Sequence, residues 1–132
     1  TMPCPYNFCT ENWIVLSRYN FSTISWICSK MGENFYIGLK KWLSLREERE
    51  VLSHEIGHIL TDTTDNIHIS KWDEQEADQA GREFLIQKED LVTLIEENEW
   101  IADACYLASH FGVSEDFIKK RICEVFNLPR NF

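Results

Sequence analysis

Several features that would place a protein at once are missing from this sequence. Its 132 residues hold only three prolines and five glycines and no internal repeat or low-complexity segment, so neither a repeat array nor a disordered chain is indicated. No apolar run approaches the roughly 20 residues of a membrane span. The opening "TMPCPYNFC" lacks the basic start and hydrophobic stretch of a signal peptide, which makes a cytoplasmic location the expectation. Basic residues are scarce, 13 Lys and Arg against 22 Asp and Glu for a net charge of −9. A surface of that sign repels phosphate backbones. The five cysteines (Cys4, Cys9, Cys28, Cys105, Cys123) are odd in number and irregularly spaced, which fits reduced thiols better than a disulfide framework. Cys4 and Cys9 alone amount to half a zinc knuckle.

What is present describes one soluble globular domain, residues 1–132, with 44% hydrophobic and 27% charged residues. Residues 1–43 read as β-rich. "NWIVL" (Asn12 to Leu16), "TISWICSK" (Thr23 to Lys30) and "NFYIGL" (Asn34 to Leu39) are runs of β-branched and aromatic residues, and "MGEN" (Met31 to Asn34) offers a hairpin turn between the last two. At residue 44 the period changes. "SLRE" (Ser44 to Glu47) has the form of a capping box and opens a helix that should end near Asp62, where "TDTTDN" is loop chemistry. A second helix is expected over Glu74 to Gln87, and two more near Glu99 to His110 and Ser114 to Phe126, with Gly112 as C-cap and Ser114 as N-cap between them. The predicted fold is α+β: a small domain with an antiparallel sheet of about three strands, the helix opening at Ser44, the helix from Glu74 and a C-terminal helix pair over residues 100–132.

The first predicted helix carries the chemistry. In "VLSHEIGHIL" (Val51 to Leu60), His54 and His58 lie four residues apart on one helix face and can aim their ring nitrogens at one point. Glu55 sits about 100° round the helix, near enough to serve a metal-held water as a base without ligating the metal. The uncharged neighbours Leu52, Ser53, Ile56, Gly57, Ile59 and Leu60 suit a helix buried beneath a cleft rather than a surface helix.

A catalytic zinc site needs a third protein ligand. Glu76 is the residue of choice, at the edge of an apolar stripe formed by Ala77, Ala80 and Phe84, with Ala77, Ala80 and Gly81 small enough for close packing on the first helix. Glu74 and Glu83 are rivals; Glu74 points to nearly the opposite side of that helix, and Glu83 lies two turns further along. His68 in the loop and Cys28 on a strand are weaker alternatives, the latter a thiolate of the kind a deformylase-like site would use.

The order of these segments, "EVLSHEIGHIL", then "EQEADQAGREFLIQKEDL", then "LASHFGVSEDFIKKRI", resembles the ImmA/IrrE family of small bacterial and phage metallopeptidases over roughly Asn34 to Val125. His54, Glu55 and His58 match that family's first motif, and Glu76, Ala77 and Asp78 its "EA(N/D)" motif; "LIQKEDL" lacks the usual proline of the third. The resemblance implies Zn2+-dependent cleavage of a helix-turn-helix repressor of a mobile element or stress response, with a DNA-binding protein as partner.

The C-terminal pair has the small residue, glycine turn and following helix of a helix-turn-helix. Its charge argues against a DNA reader, since four acidic residues offset four basic ones from Trp100 to Phe132. Two helices packed through Leu107, Phe111, Ile118, Ile122 and Phe126 to close the core are the preferred reading, and no direct nucleic-acid partner or membrane is expected. The acid is concentrated elsewhere: residues 44–99 carry sixteen acidic and five basic side chains, a field that favours a cationic partner. An extended substrate is expected against the sheet edge, nearest Phe35 to Leu39, with Tyr36, Tyr106, His68 and His110 as open choices for an oxyanion partner. The opposing class is a metal-holding module that grips a repressor or DNA without cutting; an intact Glu55 speaks against it.

Overall fold

In a computed structural model, which describes residues 3–62, 71–100 and 102–129, the chain opens on a helix rather than a strand. Pro5, whose fixed φ and missing N–H suit a first helical position, starts α1 (Pro5–Glu11). This short helix buries Cys9 and sets Phe8 edge-on against Phe84, ring centroids 5.2 Å apart.

Three strands follow, β1 (Ile14–Tyr19), β2 (Trp26–Met31) and β3 (Asn34–Lys40), close to the predicted runs. Gly32 takes φ +66° in the two-residue turn between β2 and β3, the positive φ such hairpins require. These two strands pair antiparallel from Trp26↔Leu39 to Met31↔Asn34. The expectation of a wholly antiparallel sheet is corrected by β1, which pairs parallel with β3 from Ile14↔Phe35 to Tyr19↔Lys40. The order is β1-β3-β2. β1 runs opposite to β2, and the hairpin inserts β3 between them, so β1 and β3 must point the same way.

The sheet's inner face, with Ile14, Ile37 and Leu39, packs on Leu52 of α2 (Leu45–Leu60). Both limbs of the predicted capping box form: Glu47 N–H donates to Ser44 Oγ at 3.1 Å, and Ser44 N–H donates to Glu47 Oε1 at 3.3 Å. Beyond α2 come α3 (Lys71–Leu85), α4 (Lys88–Glu97), α5 (Ala104–Phe111) and α6 (Glu115–Phe126). The α+β class is as predicted. α4 is not among the helices expected from the sequence, although Glu89 and Asp90 in its first turn and buried Leu91 and Leu94 give it the charge bias and apolar spacing of one.

Successive residues of α2 tie the fold together. Buried Glu48 accepts two hydrogen bonds from Arg18 on β1 (2.9 and 2.8 Å) and one from the Tyr6 hydroxyl on α1 (2.9 Å). The Arg18 guanidinium holds the Glu48 carboxyl below its ordinary pKa, while burial and then the Glu48 hydrogen bond push the Tyr6 hydroxyl up to about 12. On the next face of α2, Arg49 donates to the carbonyls of Phe111 and Gly112 at 3.1 and 3.3 Å, and Glu50 accepts from the Ser114 N–H and hydroxyl at 2.9 and 2.6 Å. The α5–α6 turn, with Gly112 at φ +67° and Ser114 capping α6, is thereby seated on α2.

Leu107, Phe111 and Ile118 are buried in the second apolar cluster, with Ile122 packed against it, while Phe126 is exposed. Arg121 is also buried: it donates to the Ile86 carbonyl at 2.8 Å and neighbours Glu124, which Arg82 of α3 clamps at 2.7–3.1 Å. The short basic cluster of Lys119, Lys120 and Arg121 thus loses its third charge to the interior. No helix among the described residues is long and apolar enough to cross a membrane.

Candidate metal centre

The helix period does what the spacing predicts: one turn apart on α2, His54 and His58 point the same way, their Nε2 atoms 3.1 Å apart. α3 crosses above them and delivers Glu74, whose Oε2 lies 3.3 Å from His54 Nε2 and whose Oε1 lies 3.2 Å from His58 Nε2. His58 is buried, and His54 and Glu74 are partly so. Two lone-pair nitrogens and a carboxylate converge in this way around a cation or a shared proton. Ligands about 2.0–2.2 Å from one tetrahedral ion stand roughly 3.3–3.6 Å from one another; the separations here, 3.1–3.3 Å, come close to that, and the donor types suit a small divalent cation, which His54, His58 and Glu74 would hold.

The third ligand is a correction. Glu76, expected at the metal, is exposed on α3, roughly 200° round the helix from Glu74. Ala77 and Gly81 are the residues that touch α2, and Glu74 and Asp78 lie on their face, at the spacing i, i+3, i+4, i+7. The stripe of Ala77, Ala80 and Phe84 faces partly toward α1, where Phe84 meets Phe8. Glu83 is exposed and accepts a 3.5 Å hydrogen bond from Gln79. His68 lies outside the described residues.

Glu55 lies in the floor of the site, 6% exposed, and its Oε1 accepts a hydrogen bond of 2.7 Å from the Trp26 indole N–H of β2. The same indole stands edge-on to the His54 ring, centroids 6.1 Å apart. Cys28, two residues along β2, also faces Glu55. Burial first, then that carboxylate, raise the Cys28 thiol to about 12, and Cys28 is not among the side chains that converge with His54 and His58. Behind His54, the Nδ1 atom is hydrogen-bonded to Asp78 Oδ1. Burial alone would lower the His54 pKa; the Asp78 hydrogen bond and the charges of Asp78, Glu55 and Glu74 outweigh it, and the net shift is upward. Asp78 is held below the ordinary carboxylate range: burial works against its charge, but His54, Arg82 and Lys120 prevail. The sequence places Asp78 in the second family motif without giving it a role, and gives none to Trp26. For Asp78 a signal exists in its position one turn after Glu74; for Trp26 there is none.

The Peptidase_M78 family model, described as the IrrE N-terminal-like domain, matches residues 18–123, a span that takes in all of these side chains. The chain belongs to that family. Among curated proteins and solved structures, none matches it significantly. Membership points to metal-dependent peptidase activity, and the cluster of His54, His58 and Glu74 fits a metal site.

Glu74→Gln and Glu76→Gln test the ligand assignment directly, since each exchanges a charged carboxylate for an amide of the same shape. The first is expected to weaken metal retention by tenfold or more, as about one full ligand charge is lost, and the second to leave it unchanged. Metal content after dialysis against a competing chelator checks both. Equal retention by the two variants would return the third ligand to open choice.

Proposed function

We propose that this chain is a zinc-dependent endopeptidase that cuts a helix-turn-helix transcriptional repressor of a phage, mobile element or stress response. The observation that carries it is the convergence of His54, His58 and Glu74 beside a buried carboxylate, Glu55, that stands outside that group. When bound, zinc supplies Lewis acidity toward a carbonyl and a water that loses its proton near neutral pH. Glu55 is placed to take that proton and hand it to the leaving amine. The Trp26 N–H pins one carboxylate oxygen and so sets the direction of the other. A buried carboxylate held beside the cluster by a single indole hydrogen bond, with its second oxygen available, favours a base over the binding-module alternative.

The sheet edge expected for an extended substrate, beside Phe35 to Leu39, is not free: β3 is the central strand, and both its edges are taken by β1 and β2. The outer edge of β2 replaces it. A peptide added there runs past Trp26 and into the reach of Glu55. Of the residues open for an oxyanion role, Tyr36 sits with Val15 and Ile27 on the sheet's other face, His110 borders a cavity near α4, and Tyr106 packs against the second apolar cluster. Support for a repressor as substrate comes from the family resemblance and from the acid of residues 44–99, which attracts a basic partner over long range.

Incubating the zinc-loaded protein with the repressor encoded beside its gene tests this reading. A single discrete cut is expected, abolished by a chelator, restored by added zinc, and slowed by salt because screening shortens the reach of exposed charges to about 8 Å at physiological ionic strength. A repressor left intact by protein that holds its zinc would overturn the substrate assignment.

A further inference from the structure

The geometry points to Asp78 as the residue that orients the His54 ring for metal binding, a role that rests on the metal-site reading above. His54 uses its two nitrogens for different partners: Nε2 faces His58 and Glu74, and Nδ1 faces the Asp78 carboxylate. Both carboxylates are acceptors only, and Asp78 is bonded to the ring more closely than Glu74 is, so the proton of a neutral His54 ring belongs on Nδ1. That leaves the Nε2 lone pair free and aimed at the point where His58 and Glu74 meet. A free imidazole has no such constraint, and a ring with its proton on Nε2 could not bind the cation without first exchanging it. The carboxylate behind the ring also makes Nε2 a stronger donor.

The helix supplies both acids in register. Glu74 and Asp78 are one turn apart on the face of α3 that meets α2, so a single helix places a ligand in front of His54 and its partner behind it. Asp78 is not needed for filling space. Its side chain is 44% exposed, and the tight packing between α2 and α3 is made by Ala77 and Gly81 instead. Because the Asp78 carboxylate is bonded to the ring of His54, that histidine is the one expected to respond to its loss.

Zinc affinity, measured by competition with a chromogenic chelator, should fall by about 10–100-fold in Asp78→Ala and in Asp78→Leu, which keeps the bulk but offers no acceptor, while circular dichroism of the metal-free variants matches the parent. Asp78→Asn, whose amide oxygen can still accept the Nδ1–H but carries no charge, should fall less. In 15N spectra of metal-free protein at alkaline pH, the parent should show His54 protonated on Nδ1, and the Ala and Leu variants should shift the proton toward Nε2. Affinities of the Ala and Leu variants within about twofold of the parent, a Leu variant that behaves as the parent while Ala does not, or a His54 tautomer unchanged in both would each overturn the assignment. His58→Ala serves as the control for the underlying site: loss of zinc there with no effect at Asp78 sinks only this inference, and zinc retained at parental affinity sinks the metal site as well.

Discussion

Glu55→Gln is expected to keep the metal and the fold while lowering peptide-bond cleavage by about 10²–10⁴-fold. The substitution preserves shape in a place where shape matters, for Glu55 is buried and accepts the Trp26 N–H through Oε1. A glutamine amide oxygen can accept the same hydrogen bond, so β2 stays joined to α2. What the amide cannot do is take a proton from water and return it to a leaving nitrogen. Both halves of the proton transfer are lost in one change, with no loss of the three groups that fit a metal. Zinc content and melting temperature should match the parent, and the initial cleavage rate is the quantity that moves. Undiminished cleavage by this variant would remove Glu55 from the mechanism and with it the reason for burying the carboxylate.

The parts of this site that a reader of the sequence could find are those set by helix geometry within one segment. His54 and His58 converge because four residues make about one turn, and the capping box at Ser44 and Glu47 needs only local contacts. The same holds for the Gly32 turn and for the caps at Gly112 and Ser114. What could not be read was which face of one element meets another. For α3 the apolar stripe is centred on Ala77, Ala80 and Phe84, whereas the face that meets α2 is centred between Ala77 and Gly81, turned by about half of one residue's 100°. That rotation exchanges Glu76 for Glu74. Gly81, which marks the true contact, reads in the sequence as a small residue that allows close packing, but it carries no hydrophobic weight and does not shift the apparent stripe. The pairing of β1 with β3 and the reach of Trp26 to Glu55 are likewise set by packing between distant segments, for which local propensity has no marker. At α1, Pro5 is a start signal that the surrounding aromatic residues conceal.

Gly57, inside the motif, forms a reciprocal pair with Gly81 at the crossing of α2 and α3: a Cβ on Gly57 would stand 1.8 Å from the Ala77 carbonyl oxygen, and one on Gly81 would stand 2.1 Å from that of Ser53. Both obstacles are backbone, so no side chain can turn aside and the helices must part. In an isolated helix, alanine in place of glycine is favourable by about 1 kcal/mol. Here that gain is set against overpacking of a buried contact, which costs about 1–3 kcal/mol in ordinary cores and more where backbone blocks the way. Gly57→Ala and Gly81→Ala are therefore each expected to destabilise the protein by roughly 2 kcal/mol or more, lowering the melting temperature by roughly 5–10 °C. Function should suffer before the fold does. Parting α2 from α3 draws Glu74 away from His54 and His58, so metal affinity should fall even at temperatures where circular dichroism reports a native helix content. Thermal unfolding of the metal-free variants measures the packing term, and chelator competition on the folded variants measures the displacement of Glu74. Stability equal to the parent in both variants would mean that the two helices have room to spare, and the close approach that brings Glu74 to the histidines would need another cause.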